Sequence, residues 1–326
     1  MKDNQKLLRY LRKGTLAKAD LIKTGKGRLA RQLNVPNLIS SFLAAQDVRE
    51  ISKNAYRKGL EKLCSWLEFE KITQPDREDI LRFKAYLVDE DLAANTVNSY
   101  MGAVKRFFAY LEGSRQYPTD IAKGIKGVQQ PKNHLRESLT ISQVKDILSM
   151  IDIATIQGKR NYALVNLMAR TGLRTIEVVR ANIEDIKQQG GEALLFIQGK
   201  GRDSKDEIAV LVEKTLKPIL AYLKTRGKVD PKAPLFASLS DRNKGQRLTT
   251  KTLRGLVKGL LRKINIDNPK LCAHSLRHFF ITESLRAGAP PIQVQHAARH
   301  ASFATTEKYL HNFERTEKGA ERYLDF

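Results

Sequence analysis

Cysteine is nearly missing from this chain: among 326 residues there are only Cys64 and Cys272. They lie far apart and lack metal-ligand or Cys-x-x-Cys spacing. A disulfide scaffold, a zinc site and a dithiol redox centre are thereby set aside, and each thiol is expected to be reduced and structural. Long apolar runs are missing too. No stretch approaches transmembrane length, and Met1-Lys-Asp-Asn-Gln lacks the apolar core of a secretory signal, so a cytoplasmic protein is expected. Acidic residues are in short supply: 35 Asp and Glu against 58 Lys and Arg leave a formal net charge of +23 and an isoelectric point near 10.0. Such self-repulsion is tolerated when function rewards it, and nucleic acid is the leading polyanionic partner. An anionic membrane surface fits less well, because the basic residues are scattered through the chain and form no amphipathic face or terminal cluster. Cofactor boxes are absent as well. Gly199-Lys200-Gly201 lacks the downstream spacing of a phosphate-binding loop, which argues against nucleotide binding.

What remains is enough for two domains with sizeable cores: 41% hydrophobic residues at a mean hydropathy of −0.41 describe a soluble globular chain. Residues 1–35 form a basic arm, ten Lys and Arg against Asp3 and Asp20. It is either a DNA-contacting extension or a partly ordered leader. From Pro36 the apolar residues recur at three- and four-residue steps: Leu38, Ile39, Phe42 and Leu43, then Tyr56, Leu60, Leu63, Trp66 and Leu67. Asp76 to Val88 and Asn95 to Leu111 continue the pattern, each opening on a plausible Asp or Asn cap, so residues 36–127 read as a four-helix bundle. Between Ile125 and Leu139 the period disappears into Gly, Gln, Pro and Asn, which marks a linker at 128–138.

The second domain, 139–326, resumes with Val144, Ile147, Leu148 and Ile151. A helix over Asn161 to Ala169 follows; Gly172 ends it and Glu177 starts the next. Ala193 to Ile197 and Glu207 to Val212 flank a glycine-rich turn and predict a β-hairpin with Lys200 at its head. Helices are expected over Thr215 to Leu223, with Pro218 still in the first turn, and over Thr250 to Ile264. The most informative stretch comes last. His274 and Arg277 share one helix face, His300 follows, and Thr305-Thr306-Glu307-Lys308-Tyr309 reads as a start signal and a short helix ending in tyrosine. A tyrosine beside two imidazoles and a guanidinium suits attack on a phosphodiester. Arginine donates a planar fork to phosphate oxygens, histidine moves protons near neutral pH, and a deprotonated phenol is a nucleophile. Taken alone, a His-x-x-Arg pair is far more often a solvated helix face.

The longer string His274-Ser-Leu-Arg277-His278, then Gly288, His300 and Tyr309, resembles the signature of the tyrosine recombinase (phage integrase) family. Thr171-Gly-Leu-Arg174-Thr-Ile-Glu177 resembles that family's first box. Three departures stand out: Ala298-Arg299 where the family has Leu-Gly, Phe279 where it has Ser or Thr, and Ile176 where it has Ser. The resemblance implies a mainly α protein with a small antiparallel β-sheet. It would be a two-domain DNA clamp, an N-terminal helical core DNA-binding bundle plus a C-terminal α+β catalytic domain. It implies Tyr309 as nucleophile, Arg174 and Arg277 as phosphate clamps with Glu177 orienting Arg174, His300 as a hydrogen-bond donor to phosphate, His274 exchanging protons with the tyrosine, and Lys200, ahead of Lys205, as acid for the leaving oxygen. Because a covalent 3′-phosphotyrosine would keep the bond energy, neither ATP nor metal is required.

Double-stranded DNA is then the expected partner, faced by Thr96, Asn98, Ser99, Lys105 and Arg106 in the bundle and by Lys251, Arg254 and Lys258 in the second domain. Exposed polar faces without a ligand are the plainer alternative for each set. The resemblance further implies self-association as a tetramer on two DNA sites, as in enzymes of mobile genetic elements. The apolar Phe313, Tyr323, Leu324 and Phe326 suggest a tail docking on a neighbouring protomer, with folding back in cis as the alternative. Two other functions stay open at this point: a type IB topoisomerase-like enzyme using the same chemistry on one duplex, and a non-catalytic DNA-binding regulator.

Overall fold

A computed structural model describes residues 35–129, 138–199 and 202–317. The basic arm but for Val35, most of the linker, Lys200 and the end of the tail lie outside the described residues, as do the side chains of 35–36 and 311–317. The chain divides into two compact units, Met1–Asn133 and His134–Phe326. Among the described residues no helix is long and apolar enough to cross a membrane.

Among the described residues the first unit holds four helices: α1 (Val35–Ala45), α2 (Glu50–Phe69), α3 (Arg77–Asp89) and α4 (Ala94–Gly113). Helix α3 starts as its sequence predicts, on a reciprocal capping box. Asp76 accepts from the Asp79 N–H at 3.0 Å and Asp79 from the Asp76 N–H at 3.0 Å. Helix α4 departs from expectation. It is preceded by Ala93 with no side-chain cap, and Asn95 sits inside its first turn. The apolar stripes converge on Phe42, Leu60, Leu63, Trp66, Phe83, Met101, Phe107 and Phe108, all buried. Helices α2 and α4 approach closely through Gly59, where a Cβ would lie 3.0 Å from the Tyr100 Cα, so packing density here depends on a missing side chain.

In the second unit, α5 (Ile141–Ser149) opens on a Thr140–Gln143 capping box, and α6 (Ile156–Thr171) is buried on nearly every face, the central rod of this domain. Helix α6 ends at Gly172 in the left-handed region (φ 61). The next helix, α7 (Thr175–Arg180), begins at Thr175, so Glu177 is its third residue rather than its start. The sheet has three antiparallel strands in the order β1 (Ile186–Gln189), β2 (Glu192–Ile197) and β3 (Glu207–Val210), with Ile186 opposite Leu195 and Leu194 opposite Val210. Strands β2 and β3 are the foreseen hairpin. Strand β1 was not foreseen: Ile186-Lys-Gln-Gln carries one apolar residue and is recruited by its tight Gly190-Gly191 turn, where both φ are positive.

Helix α8 (Glu213–Arg226) starts two residues earlier than the sequence suggests, which puts Pro218 in its second turn. A proline there cannot donate to the Lys214 carbonyl. The Asn166 side-chain amide of α6 donates to that oxygen at 2.9 Å instead. Helices α9 (Thr250–Lys263), α10 (Ala273–Arg286), α11 (Pro291–Ala298) and α12 (Phe303–Glu317) complete the unit. Helix α12 starts before the Thr305-Thr306 pair and runs past Tyr309, so the tyrosine lies within a helix and not at its end.

Candidate active site

Two helix ends carry the first half of the site. Arg174 is the residue before α7, and its backbone N–H donates to Glu177 Oε2 at 2.8 Å while its Nη1 donates to Oε1 at 2.7 Å. The Glu177 side chain is fully buried, so its charge is paired twice over within the protein. Arg174 Nη2 also donates to the Arg299 carbonyl at 3.2 Å, which ties α7 to the turn after α11.

Arg277 on α10 is 2% exposed. Its Nη1 donates to the Gly172 carbonyl at 2.8 Å and its Nη2 to the Ala298 carbonyl, so one guanidinium caps the ends of α6 and α11. Burial, then the neighbouring Arg174 and Arg299 guanidiniums, push Arg277 down to about 10. It still holds its proton at neutral pH.

His300 follows a residue in left-handed conformation, Arg299 (φ 57), the position where the resemblance places glycine. The Arg299 side chain is only 4% exposed, with Nη2 donating to Glu177 Oε2 at 3.3 Å and Nε 3.7 Å from Glu207 Oε2. Instead of facing outward as a free charge, it shares the buried carboxylate with Arg174. His300 Nδ1 is hydrogen-bonded to Thr306 Oγ1 at 2.8 Å, and Thr306 is fully buried. Burial, then Arg277, Arg174, Arg299 and His274, push His300 down to about 4. The ring is therefore neutral at pH 7 in a cationic surrounding.

Tyr309 completes the cluster. Its hydroxyl is hydrogen-bonded to His278 Nδ1, and its ring lies 5.3 Å from that of His278 and 6.2 Å from that of His300. His278 is buried, whereas His274, one turn earlier on α10, is exposed and meets it edge-on at 4.7 Å. The structure thus brings together Arg174, Glu177, His274, Arg277, His300 and Tyr309. Lys200 lies outside the described residues. Lys205 is held by Asp185 at 2.6 and 2.8 Å.

Sequence reasoning assigned no role to His278, Thr306 or the Arg299 side chain. His278 was legible in part, because His274 and His278 at i, i+4 share a helix face. The other two pairings join residues distant in sequence or a hydroxyl that any Thr could present. Among the predicted DNA-facing residues, Lys251 and Arg254 are exposed on α9, and Lys105 is half-buried. Arg106 is exposed with its guanidinium over the Tyr56 ring at 5.4 Å. Lys258 donates to the Asn268 carbonyl at 2.6 Å, and Asn98 is engaged with both backbone groups of Val128 at 2.7 and 2.9 Å, so neither side chain simply faces outward. Among the described residues no three His, Cys, Asp or Glu side chains gather as metal ligands.

Residues 137–315 match the phage integrase family, and residues 40–114 match the phage integrase N-terminal SAM-like domain. The tyrosine recombinase XerD of Listeria innocua serovar 6a is 30% identical over 285 residues, which span 84% of this chain and 94% of that protein. In three dimensions the fold is similar to that of the XerH site-specific recombinase bound to palindromic difH substrate, with a TM-score of 0.71 at 23% identity over 99% of this chain and 90% of that one. It is also similar to the Tn1549 transposon integrase in complex with transposon right end DNA, with a TM-score of 0.67 at 17% identity over 89% and 99%. Two family matches in the expected order, on a chain whose fold gathers the signature side chains, leave one assignment: this chain belongs to the phage integrase family of tyrosine recombinases, enzymes that cut and rejoin DNA strands.

Proposed function

We propose that this protein is a site-specific recombinase in which Tyr309 opens one DNA strand at a defined site and the strand is resealed on a second duplex. The observation that carries this reading is the convergence of one phenol, two anchored guanidiniums and a neutral imidazole on a single cationic spot. The groups that disfavour a proton on His300 are the groups that attract a phosphate. Arg174 and Arg277 stabilise charge on its non-bridging oxygens, with Glu177 orienting Arg174 and His300 hydrogen-bonding the same group.

The Tyr309 oxygen attacks phosphorus, an O–P bond forms, and the bond to the 5′-oxygen breaks. Lys200 gives that oxygen its proton, while the phenol proton passes to the imidazoles of α10, of which the sequence motif singles out His274. The 3′-phosphotyrosine keeps the bond energy, so a 5′-hydroxyl from another duplex reverses the step without ATP or metal. Double-stranded DNA in the cytoplasm is the substrate. Lys105, Arg106, Lys251 and Arg254 contact it, and Lys258 helps through the turn it holds. Four protomers on two sites, each docking its C-terminal tail on a neighbour, would carry out the exchange.

A nicked suicide substrate tests the chemistry. The parent should give a covalent band on denaturing electrophoresis, and Tyr309→Phe should bind the DNA yet give none. A band persisting in the variant would name another nucleophile. A two-plasmid assay distinguishes recombination from simple relaxation of one duplex.

A further inference from the structure

We propose that His278 is a catalytic residue of this site, the base that takes the proton from the Tyr309 hydroxyl during cleavage and returns it during resealing. The inference rests on the reading of Tyr309 as nucleophile and deepens it. The first support is contact: the tyrosine hydroxyl and His278 Nδ1 are hydrogen-bonded, on rings whose centroids lie 5.3 Å apart. The second is placement. His278 directly follows Arg277, so the residue that anchors the phosphate clamp and the one that holds the nucleophile share one rigid stretch of α10. The third is a second, exposed imidazole in ring contact with it: buried His278 meets His274 edge-on, with centroids 4.7 Å apart.

The other imidazole near the phenol is less suited. His300 has its Nδ1 bonded to Thr306 and stands among Arg174, Arg277 and Arg299, which oppose its protonation. The charged and titratable groups around the pair are therefore His274 on α10, Arg277 beside it, Arg174 ahead of α7, Arg299 and His300 after α11, and the Glu177 carboxylate that Arg174 and Arg299 share. The balance is basic, and a bound phosphate would offset it. A neutral His278 with its proton on Nε2 presents the Nδ1 lone pair to the phenol. As Tyr309 Oη bonds to phosphorus, its proton moves to Nδ1 and imidazolium forms. The 5′-oxygen leaves with a proton from the general acid. In resealing, the incoming 5′-hydroxyl returns its proton to the general acid as it bonds to phosphorus, and the displaced Oη recovers its own proton from His278. His274 is assigned the exchange with solvent.

The experiment uses the full-length protein on a suicide duplex whose bridging 5′-oxygen is replaced by sulfur. A thiolate leaves without protonation, thiols having a pKa near about 8.5, and so the remaining proton transfer is the one at the tyrosine. His278→Asn keeps an acceptor near the Nδ1 position without its basicity. It should bind DNA as the parent does and cleave roughly 100-fold more slowly or worse. His278→Gly should be slow as well and recover when imidazole is added.

Cleavage by His278→Asn within about threefold of the parent would overturn the proposal. So would rescue by imidazole of a His274→Gly variant but not of His278→Gly, which would move the base to His274. Recovery of His278→Gly by added imidazole is the check that a folding defect cannot imitate, because a misfolded variant gains nothing from a small base in solution. If the parent forms no covalent complex at all, or Tyr309→Phe still forms one, the underlying reading of Tyr309 has failed instead, and the two failures are told apart.

Discussion

The two units spend burial differently. Among the described residues, every buried polar or charged residue, from Arg160 to Thr306, lies in the second unit, while the first unit's buried positions are aliphatic, aromatic or glycine. The first unit's ion pairs each keep their cation open to water: Lys62 with Glu90 at 3.0 Å, and Arg82 with Glu70 and Asp79. The second takes Glu177, Arg277 and the Arg299 side chain out of water and must satisfy each from within. One unit is built as an apolar bundle that presents a surface. The other holds charges in fixed directions, at a desolvation cost, so that they meet an anion already oriented.

The largest effect should come from breaking that internal satisfaction. Glu177→Ala leaves Arg174 and Arg299 without their shared carboxylate and should lower stability by about 3–5 kcal/mol, read by denaturant unfolding. A loss below about 1 kcal/mol would mean that water repairs the site and that the contrast between the units is shallower than the burial implies. Next comes Arg174→Lys, which keeps charge and loses the fork. Cleavage of the suicide substrate should fall ~100-fold or more while DNA affinity changes little.

The third effect is a pH window. His300 sits at about 4 in the folded protein against 6.5 when free, so between these values the unfolded chain binds more protons. Stability from this group is therefore intact above 6.5 and is lost as pH falls toward 4. His300→Gln should flatten that part of the melting-temperature profile, and parallel profiles would remove His300 as the cause. The smallest effect is the counterpart in the first unit. Glu90→Ala breaks a half-exposed pair with Lys62 and should cost less than about 1 kcal/mol. A cost rivalling that of Glu177→Ala would erase the distinction drawn above.

Much of this was legible in the sequence, and unevenly so. Helices α2 to α4 follow from apolar spacing, because a period of three to four residues is set by helix geometry alone. Arg174, Arg277, His300 and Tyr309 were found through their motif, and their convergence follows from where α6 and α11 end against the flanks of α10 and α12. Strand β1 escaped notice because its residues carry almost no alternation and its pairing comes from a neighbour. The early start of α8 escaped because the Lys214 carbonyl that Pro218 leaves unbonded is met by Asn166, 48 positions earlier in the chain. In the sequence Arg299 stands out only as a departure from the motif. Only the fold places Glu177 and Glu207 where they can share its charge.

Gly172 carries a constraint that reaches beyond its own turn. A Cβ added there would lie 2.4 Å from the Phe280 ring, and the Gly172 carbonyl is also the one that Arg277 Nη1 holds. Position 172 is therefore not free to vary alone: besides tolerating a φ of 61, a side chain there needs a smaller residue at 280, more than a hundred residues away. In a lineage of such genes residue 172 should change only together with residue 280, whereas 280 can shrink by itself. A library randomised at both positions should yield functional clones with a side chain at 172 only where residue 280 has become smaller.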